Sequence, residues 1–122
     1  MSEAQRNLVV VVTHGIDHEL SSVAFTIANG GMTVGLKVSV FLTSAGVDLA
    51  RKRAIDTTHV HPLEPLAGLV KDFLGGGGTL WACTPCVKSR SYNQEDLIDG
   101  TIITGASPMH ELIKAGAATL SF

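Results

Sequence analysis

Charge is sparse in this chain. Only 16% of its 122 residues are charged, and 9 basic residues stand against 11 acidic ones for a net charge of −2. Such a surface offers no basic patch to release counterions from nucleic acid. Aromatic residues, at 5%, are too few for a base-stacking platform. Long apolar runs are missing as well. The longest, Leu8 to Val12, falls far short of the ~20 residues needed to span a bilayer. The polar start, Met1-Ser2-Glu3-Ala4-Gln5-Arg6-Asn7, lacks the apolar stretch of an export signal. The expectation is a cytoplasmic protein that binds neither nucleic acid nor membrane. Two cysteines, Cys83 and Cys86, make no disulfide framework, and in a reducing compartment both are free thiols.

Nucleotide-binding signatures are absent too. No Gly-x-Gly-x-x-Gly follows the first apolar run. Gly75-Gly76-Gly77-Gly78 lacks the Lys-Ser or Lys-Thr ending of a phosphate loop. It also follows a helix-like segment and precedes a strand-like one, the reverse of phosphate-loop order. The run reads as a helix terminator, and no cofactor is expected. His59-Val60-His61 has alternate spacing, but two histidines are too few to make a metal site.

What is present is an alternation of strand-like and helix-like segments. The length suits one domain, residues 1–122, and 45% apolar content can fill its core. So little charge also suggests surface hidden in an oligomer. Leu8 to Val12 predicts a strand buried on both faces. Leu20, Val23, Ala24, Ile27 and Ala28 recur at helical spacing, with Asp17 as N-cap and Gly30-Gly31 as the end. Leu36 to Leu42 is a second strand, and Ser44 caps a short helix through Val47, Leu49 and Ala50. Arg51 to Pro62 is a polar surface excursion. Glu64 to Leu74 is a helix with Pro65 in its first turn. Thr79 to Ala82 is a strand, and Pro85 to Arg90 a short helix. Thr101 to Thr104 is a strand, Ser107-Pro108 opens a helix that Gly116 stops, and Ala117 to Leu120 is the last strand. Five strands joined by helices predict an α/β fold, a three-layer α/β/α sandwich with a mainly parallel five-stranded sheet and right-handed crossovers.

Reactive groups in such sheets collect at the carboxyl ends of the strands. Four loops fall there: Thr13 to Asp17, Thr43 to Gly46, Cys83 to Cys86, and Gly105 to Ser107. They supply His14, Thr43, Ser44, Gly105 and Ser107 as candidate binding residues, and Cys83 and Cys86 as candidate catalytic ones. A thiol at a helix start gains thiolate character. The three-residue step puts both sulfurs on one helix face, and Lys88 and Arg90 add positive charge nearby. His14 either meets Cys83 across the sheet edge, as a base or hydrogen-bond partner, or is a satisfied loop histidine. His18 is expected to face solvent, and His110 has no evident partner. The functional reading is a nucleophilic or sulfur-carrying Cys83 with Cys86 as resolving partner. The bland reading is two small core cysteines at a strand end.

Taken in order, several segments resemble the DsrE/DsrF-like family of small sulfur-relay proteins. They are Leu8 to Gly15, Phe41-Leu42-Thr43, Leu80-Trp81-Ala82-Cys83-Thr84-Pro85-Cys86 with Arg90, and Ile103 to Ser107 with Glu111-Leu112 near the closing Phe122. The resemblance implies a parallel α/β sandwich, often assembled as trimers or hexamers, some with sister subunits. It also implies that Cys83 accepts persulfide sulfur from a donor protein and passes it to an acceptor protein. Cys86 matches only part of the family, and some members lack the cysteine. Many relatives carry glycine after the helix arginine, where this chain has Ser91.

The residues leave other functions open. Cys-x-x-Cys spacing also suits a thiol–disulfide oxidoreductase, although a thioredoxin-like motif follows the first strand of its domain and this one follows the third. A non-enzymatic subunit would use the cysteines to line a ligand pocket, or as half of a tetrahedral zinc site. Whether the chain is an enzyme is left open.

Overall fold

A computed structural model describes residues 5–122. The first four residues of the polar start lie outside the described residues. Strands and helices alternate as β1 (Asn7–Val12), α1 (Glu19–Thr33), β2 (Lys37–Leu42), a 3-10 turn (Ser44–Ala50), α2 (Leu66–Gly75), β3 (Thr79–Cys83), α3 (Thr84–Ser89), a shorter 3-10 turn (Gln94–Asp96), β4 (Thr101–Thr104), α4 (Ser107–Lys114) and β5 (Ala118–Ser121). The strands form one sheet in the order β4-β3-β2-β1-β5, and every pairing is parallel. The chain steps one way from β1 to β4, then crosses back to place β5 beside β1. Right-handed crossovers therefore put α1 and α2 on one face and α4 on the other. This is the expected three-layer α/β/α architecture.

The strand residues alternate between these faces. Leu8, Val10, Val12, Val38, Val40, Leu42, Leu80 and Ala82 join the main core with Phe25, Leu66, Leu69, Val70 and Phe73 from α1 and α2. Phe25 meets Phe73 edge to face at 5.6 Å, and the Asn29 side-chain amide donates to the Leu69 carbonyl at 3.0 Å. Val9, Phe41 and Trp81 point the other way and are also buried. Burial on both faces explains why β1 reads as an unbroken apolar run. The second face is thinly covered. No residue of α4 is buried, and Ile102 of β4 is 49% exposed.

Several element ends differ from the sequence expectation. His18, not Asp17, caps α1, its ring Nδ1 accepting from the Leu20 N–H at 3.1 Å. This helix runs through Gly30-Gly31 to Thr33 because Gly31 packs against Leu8 and Val38, where a side chain would crowd. Pro65 is the N-cap of α2 rather than a residue of its first turn. Thr43 is the N-cap of the Ser44–Ala50 turn and Ala106 that of α4, so Ser44 and Ser107 lie inside the elements they were expected to cap. The polar stretch after Ala50 is pinned to the core by buried Ile55.

All four α-helices end alike. The N–H groups of the two residues after the C-cap bond back to carbonyls of the last turn, as for Ser91 to Lys88 and Tyr92 to Val87 in α3. This motif puts its first post-cap residue in the left-handed region. Glycine fills that place after α1, α2 and α4, at Gly35, Gly77 and Gly116, whereas α3 has Ser91 at φ +57°. The glycine run is thus a helix terminator, with Gly78 seated on the Phe73 ring.

The Ser44–Ala50 turn passes tightly over the end of β1. Thr43 N–H donates to the Val12 carbonyl at 3.0 Å, and any side chain on Gly46 would collide with that same oxygen. Gly46→Ala is expected to lower the unfolding free energy by about 1–3 kcal/mol, the usual range for overpacking. Gly68→Ala on α2 meets open space and is expected to raise it by about 0.5–1 kcal/mol through helix propensity. Urea denaturation of both variants checks the opposite signs.

Candidate functional site

β3 runs into α3 with no intervening loop, so Cys83 is both the last strand residue and the N-cap of the helix. Cys86 is the third residue of that helix. N-cap and N3 side chains converge at a helix start. Cys83 makes no capping bond, which leaves its sulfur free to meet Cys86. Both are half-buried free thiols.

The surroundings of the two differ. The Cys86 Sγ accepts the Ser44 backbone N–H at 3.1 Å and lies 3.7 Å from the Thr43 hydroxyl. Ser44 stands at φ +54°, a left-handed conformation unusual outside glycine, which aims that N–H at the sulfur. Burial pushes the Cys86 thiol up. Hydrogen bonds from Ser44, Thr43 and the Cys83 thiol, with the nearby Arg90 charge, outweigh it and hold the thiol below its ordinary range. The donors of the neighbouring turn thereby favour the thiolate form of Cys86. The sequence pointed to the helix start as the source of this effect, but a six-residue helix has little dipole to give.

A second set of contacts locks that turn to α3. Tyr92 donates its hydroxyl proton to Asp48 Oδ1 at 2.6 Å, and Arg90 Nε pairs with the same oxygen at 3.3 Å. Arg90 also donates to the Cys86 carbonyl at 3.3 Å. Burial and the hydrogen bond to Asp48 push the Tyr92 phenol up, so it remains a donor. Tyr92 follows Ser91, so the left-handed step at Ser91 turns its ring back toward Asp48. Asp48 and Tyr92 were not singled out from the sequence.

The other candidates are spread along the same edge. His14 stacks on His18 with ring centroids 3.9 Å apart. It lines a recess of about 380 Å³ with Asp17, Ala45 and Asp48, which neither cysteine lines. Of the two readings of His14, the structure shows a loop histidine stacked on His18, and no hydrogen bond among the described residues joins it to Cys83. His18 is exposed, but its ring serves as a cap. Gly105 and Ser107 are exposed just past β4, whose Thr104 pairs with Cys83, and no side-chain hydrogen bond among the described residues joins them to the thiols. His59 and His61 stack at 4.0 Å, and His59 bonds the Leu63 carbonyl. A larger groove of about 670 Å³, lined by Lys52, Ile55, Val70 and Ile98, lies away from the cysteines.

A model of the DsrE/DsrF-like family matches residues 6–122. The chain belongs to the DsrE/DsrF-like family. Its relatives include the uncharacterized protein MJ0989 of Methanocaldococcus jannaschii, 28% identical over 87% of this chain and 85% of that one. MJ0760 of the same organism is 32% identical over 81% of this chain but only 36% of its own length. The DsrE/DsrF-like fold recurs in MTH1491 of Methanobacterium thermoautotrophicum, a protein of unknown function, with a TM-score of 0.77 at 17% identity over 97% of this chain and all of that one. It recurs equally in the ychN protein of E. coli, with a TM-score of 0.77 at 16% identity over 98% of this chain and all of that one. No helix among the described residues is long and apolar enough to cross a membrane.

Two outcomes follow from the geometry. Ser91→Gly relieves the left-handed strain at the end of α3, and a gain of about 0.5–1 kcal/mol in thermal or urea unfolding is expected. In a Cys83→Ser background, which retains a hydroxyl donor, Cys86 alkylation by iodoacetamide is expected to stay fast well below the pH of an ordinary thiol. Adding Thr43→Val removes one donor and moves the midpoint of the pH–rate profile upward. A profile that stays in place would show that Thr43 does not stabilise the thiolate.

Proposed function

We propose that this protein is a sulfur-relay subunit whose Cys83 and Cys86 take up a sulfane sulfur from a donor protein and pass it to an acceptor protein. The observation that carries this reading is the Cys86 sulfur, in the first turn of the helix after β3, with the Ser44 N–H donating to it at 3.1 Å and the Thr43 hydroxyl 3.7 Å away. A thiolate is the species that attacks a persulfide. It bonds to the outer sulfur, the donor S–S bond breaks, and the donor leaves as a thiolate. The sulfur departs by the same step when an acceptor thiolate attacks it. Neither step needs a metal or a cofactor. Family membership supports the reading, with Cys83 at the position where the resemblance puts the carrier.

Exposed Ile102 and Ile113, with the thin cover that α4 gives its face of the sheet, support assembly of copies into a homo-oligomer, a trimer or hexamer. An active thiol near the sheet edge fits a reducing, cytoplasmic setting.

Intact-mass spectrometry after incubation with glutathione persulfide tests the relay. Wild type is expected to gain one sulfur atom, and Cys83→Ser/Cys86→Ser to gain none. A wild-type protein that gains no sulfur from glutathione persulfide or from thiosulfate would overturn the reading. A disulfide formed without sulfur uptake would favour the thiol–disulfide oxidoreductase instead.

A further inference from the structure

We propose that the two cysteines act in a fixed order: Cys86 captures the incoming sulfur and then hands it to Cys83, which holds it for the acceptor. The proposal rests on the sulfur-relay reading and assigns each thiol a distinct catalytic step within it.

The asymmetry of the pair carries the order. The Ser44 N–H at 3.1 Å and the Thr43 hydroxyl at 3.7 Å are both directed at Cys86. Arg90, tied to Asp48 at 3.3 Å and to the Cys86 carbonyl, adds a fixed positive charge beside it. Cys83 has no bond to Ser44 or Thr43 and makes no capping bond, although both cysteines pack against the apolar core to a similar degree. An incoming persulfide therefore meets the donors that favour a thiolate at Cys86. The same donors make Cys86 the better leaving group, and exchange is faster when the departing sulfur is the better-stabilised thiolate. A sulfur on Cys86 is thus poised to move, and its nearest acceptor is the thiol at the adjoining N-cap.

The chemistry balances without an oxidant or reductant. In the first step the Cys86 thiolate bonds to the outer sulfur of R–S–SH, the S–S bond breaks and R–S⁻ leaves. In the second step Cys83 gives up its proton, which R–S⁻ or water accepts. The Cys83 thiolate then bonds to the outer sulfur of the Cys86 persulfide, and Cys86 leaves as a thiolate onto the Ser44 N–H. The net change is R–S–SH plus Cys83–SH to R–SH plus Cys83–S–SH. Attack on the inner sulfur would instead release hydrosulfide and close a Cys83–Cys86 disulfide.

The test is rapid quenching after mixing with glutathione persulfide, followed by alkylation and peptide mapping. In wild type the sulfur is expected on Cys86 first and on Cys83 later. Cys83→Ser is expected to load Cys86 and to keep the sulfur there. Cys86→Ser is expected to load Cys83 on the order of tenfold more slowly, having lost the stabilised thiolate. Thr43→Val, which keeps both thiols, is expected to slow both the loading of Cys86 and its transfer to Cys83, and serves if Cys86→Ser folds poorly by circular dichroism. The order is overturned if Cys86→Ser loads Cys83 as fast as wild type does. It is equally overturned if wild type accumulates a Cys83–Cys86 disulfide and free hydrosulfide. The first result leaves sulfur uptake itself in place, and the second does so only where a Cys86 persulfide is trapped before the disulfide closes. Only the absence of any wild-type adduct removes the relay reading along with it.

Discussion

The close seating of the Ser44–Ala50 turn on the end of β1 is the constraint on which the candidate site depends. Thr43 N–H binds the Val12 carbonyl, and Gly46 leaves no room between the turn and that same oxygen. With the turn held this low, Ser44 N–H reaches over the end of β3 to the Cys86 sulfur. The Asp48 carboxylate, later in the turn, receives Tyr92 and Arg90 from the far side of α3. A backbone donor and a carboxylate on one short element thus fix both ends of the cysteine helix. The clamp is partly exposed, and its single ion pair contributes only modest stability. Its larger effect is geometric, because hydrogen bonds to a sulfur anion depend on distance and direction.

These donors bear on the choice between relay and redox chemistry. Stabilising one thiolate of a Cys-x-x-Cys pair stabilises its reduced form, which makes the corresponding disulfide easier to reduce. In a reducing compartment such a pair rests as two thiols. Resting thiols can receive sulfur repeatedly, whereas an oxidoreductase that delivers disulfides needs reoxidation after each turnover. The same electrostatics that activate Cys86 therefore weigh toward the relay. They also separate the two cysteines, which look equivalent when only their spacing is read.

Much of the fold was legible because parallel sheets impose a simple code. Continuous apolar strands such as Leu8 to Val12, amphipathic helices and punctuating glycines give element order directly, and crossover handedness supplies the layers. Element ends were less legible, because packing decides them. Gly30-Gly31 reads as a stop, yet the helix continues there because Gly31 lets it lie close on Leu8 and Val38. At the candidate site, the strand-end rule named Cys83, Cys86, Thr43 and Ser44, which the structure brings together, and His14, Gly105 and Ser107, which lie elsewhere along the edge, since it names an edge and not the contacts along it. Asp48 and Tyr92 escaped because their bond joins residues 44 positions apart, and no local pattern records it. Ser91 did leave a signal. It stands where the family often has glycine, and the structure shows why: each of the other three α-helices ends with glycine in that conformation.

Family membership constrains the fold more strongly than the chemistry, and the structure explains the difference. The sheet needs only apolar residues of suitable size at alternating positions, which many sequences satisfy. That degeneracy is why MTH1491 and ychN share the fold at 16–17% identity. The candidate site is not degenerate in this way. It needs a residue without a side chain at Gly46, a left-handed step at Ser44, a hydroxyl at Thr43 and a carboxylate at Asp48, all in register with a thiol on the next strand but one from β1. A relative that keeps Cys83 but loses the turn retains a thiol at a strand end without the donors that activate its neighbour. The turn after β2, as much as the cysteine after β3, is therefore the feature by which sulfur chemistry can be carried from one member of this family to another.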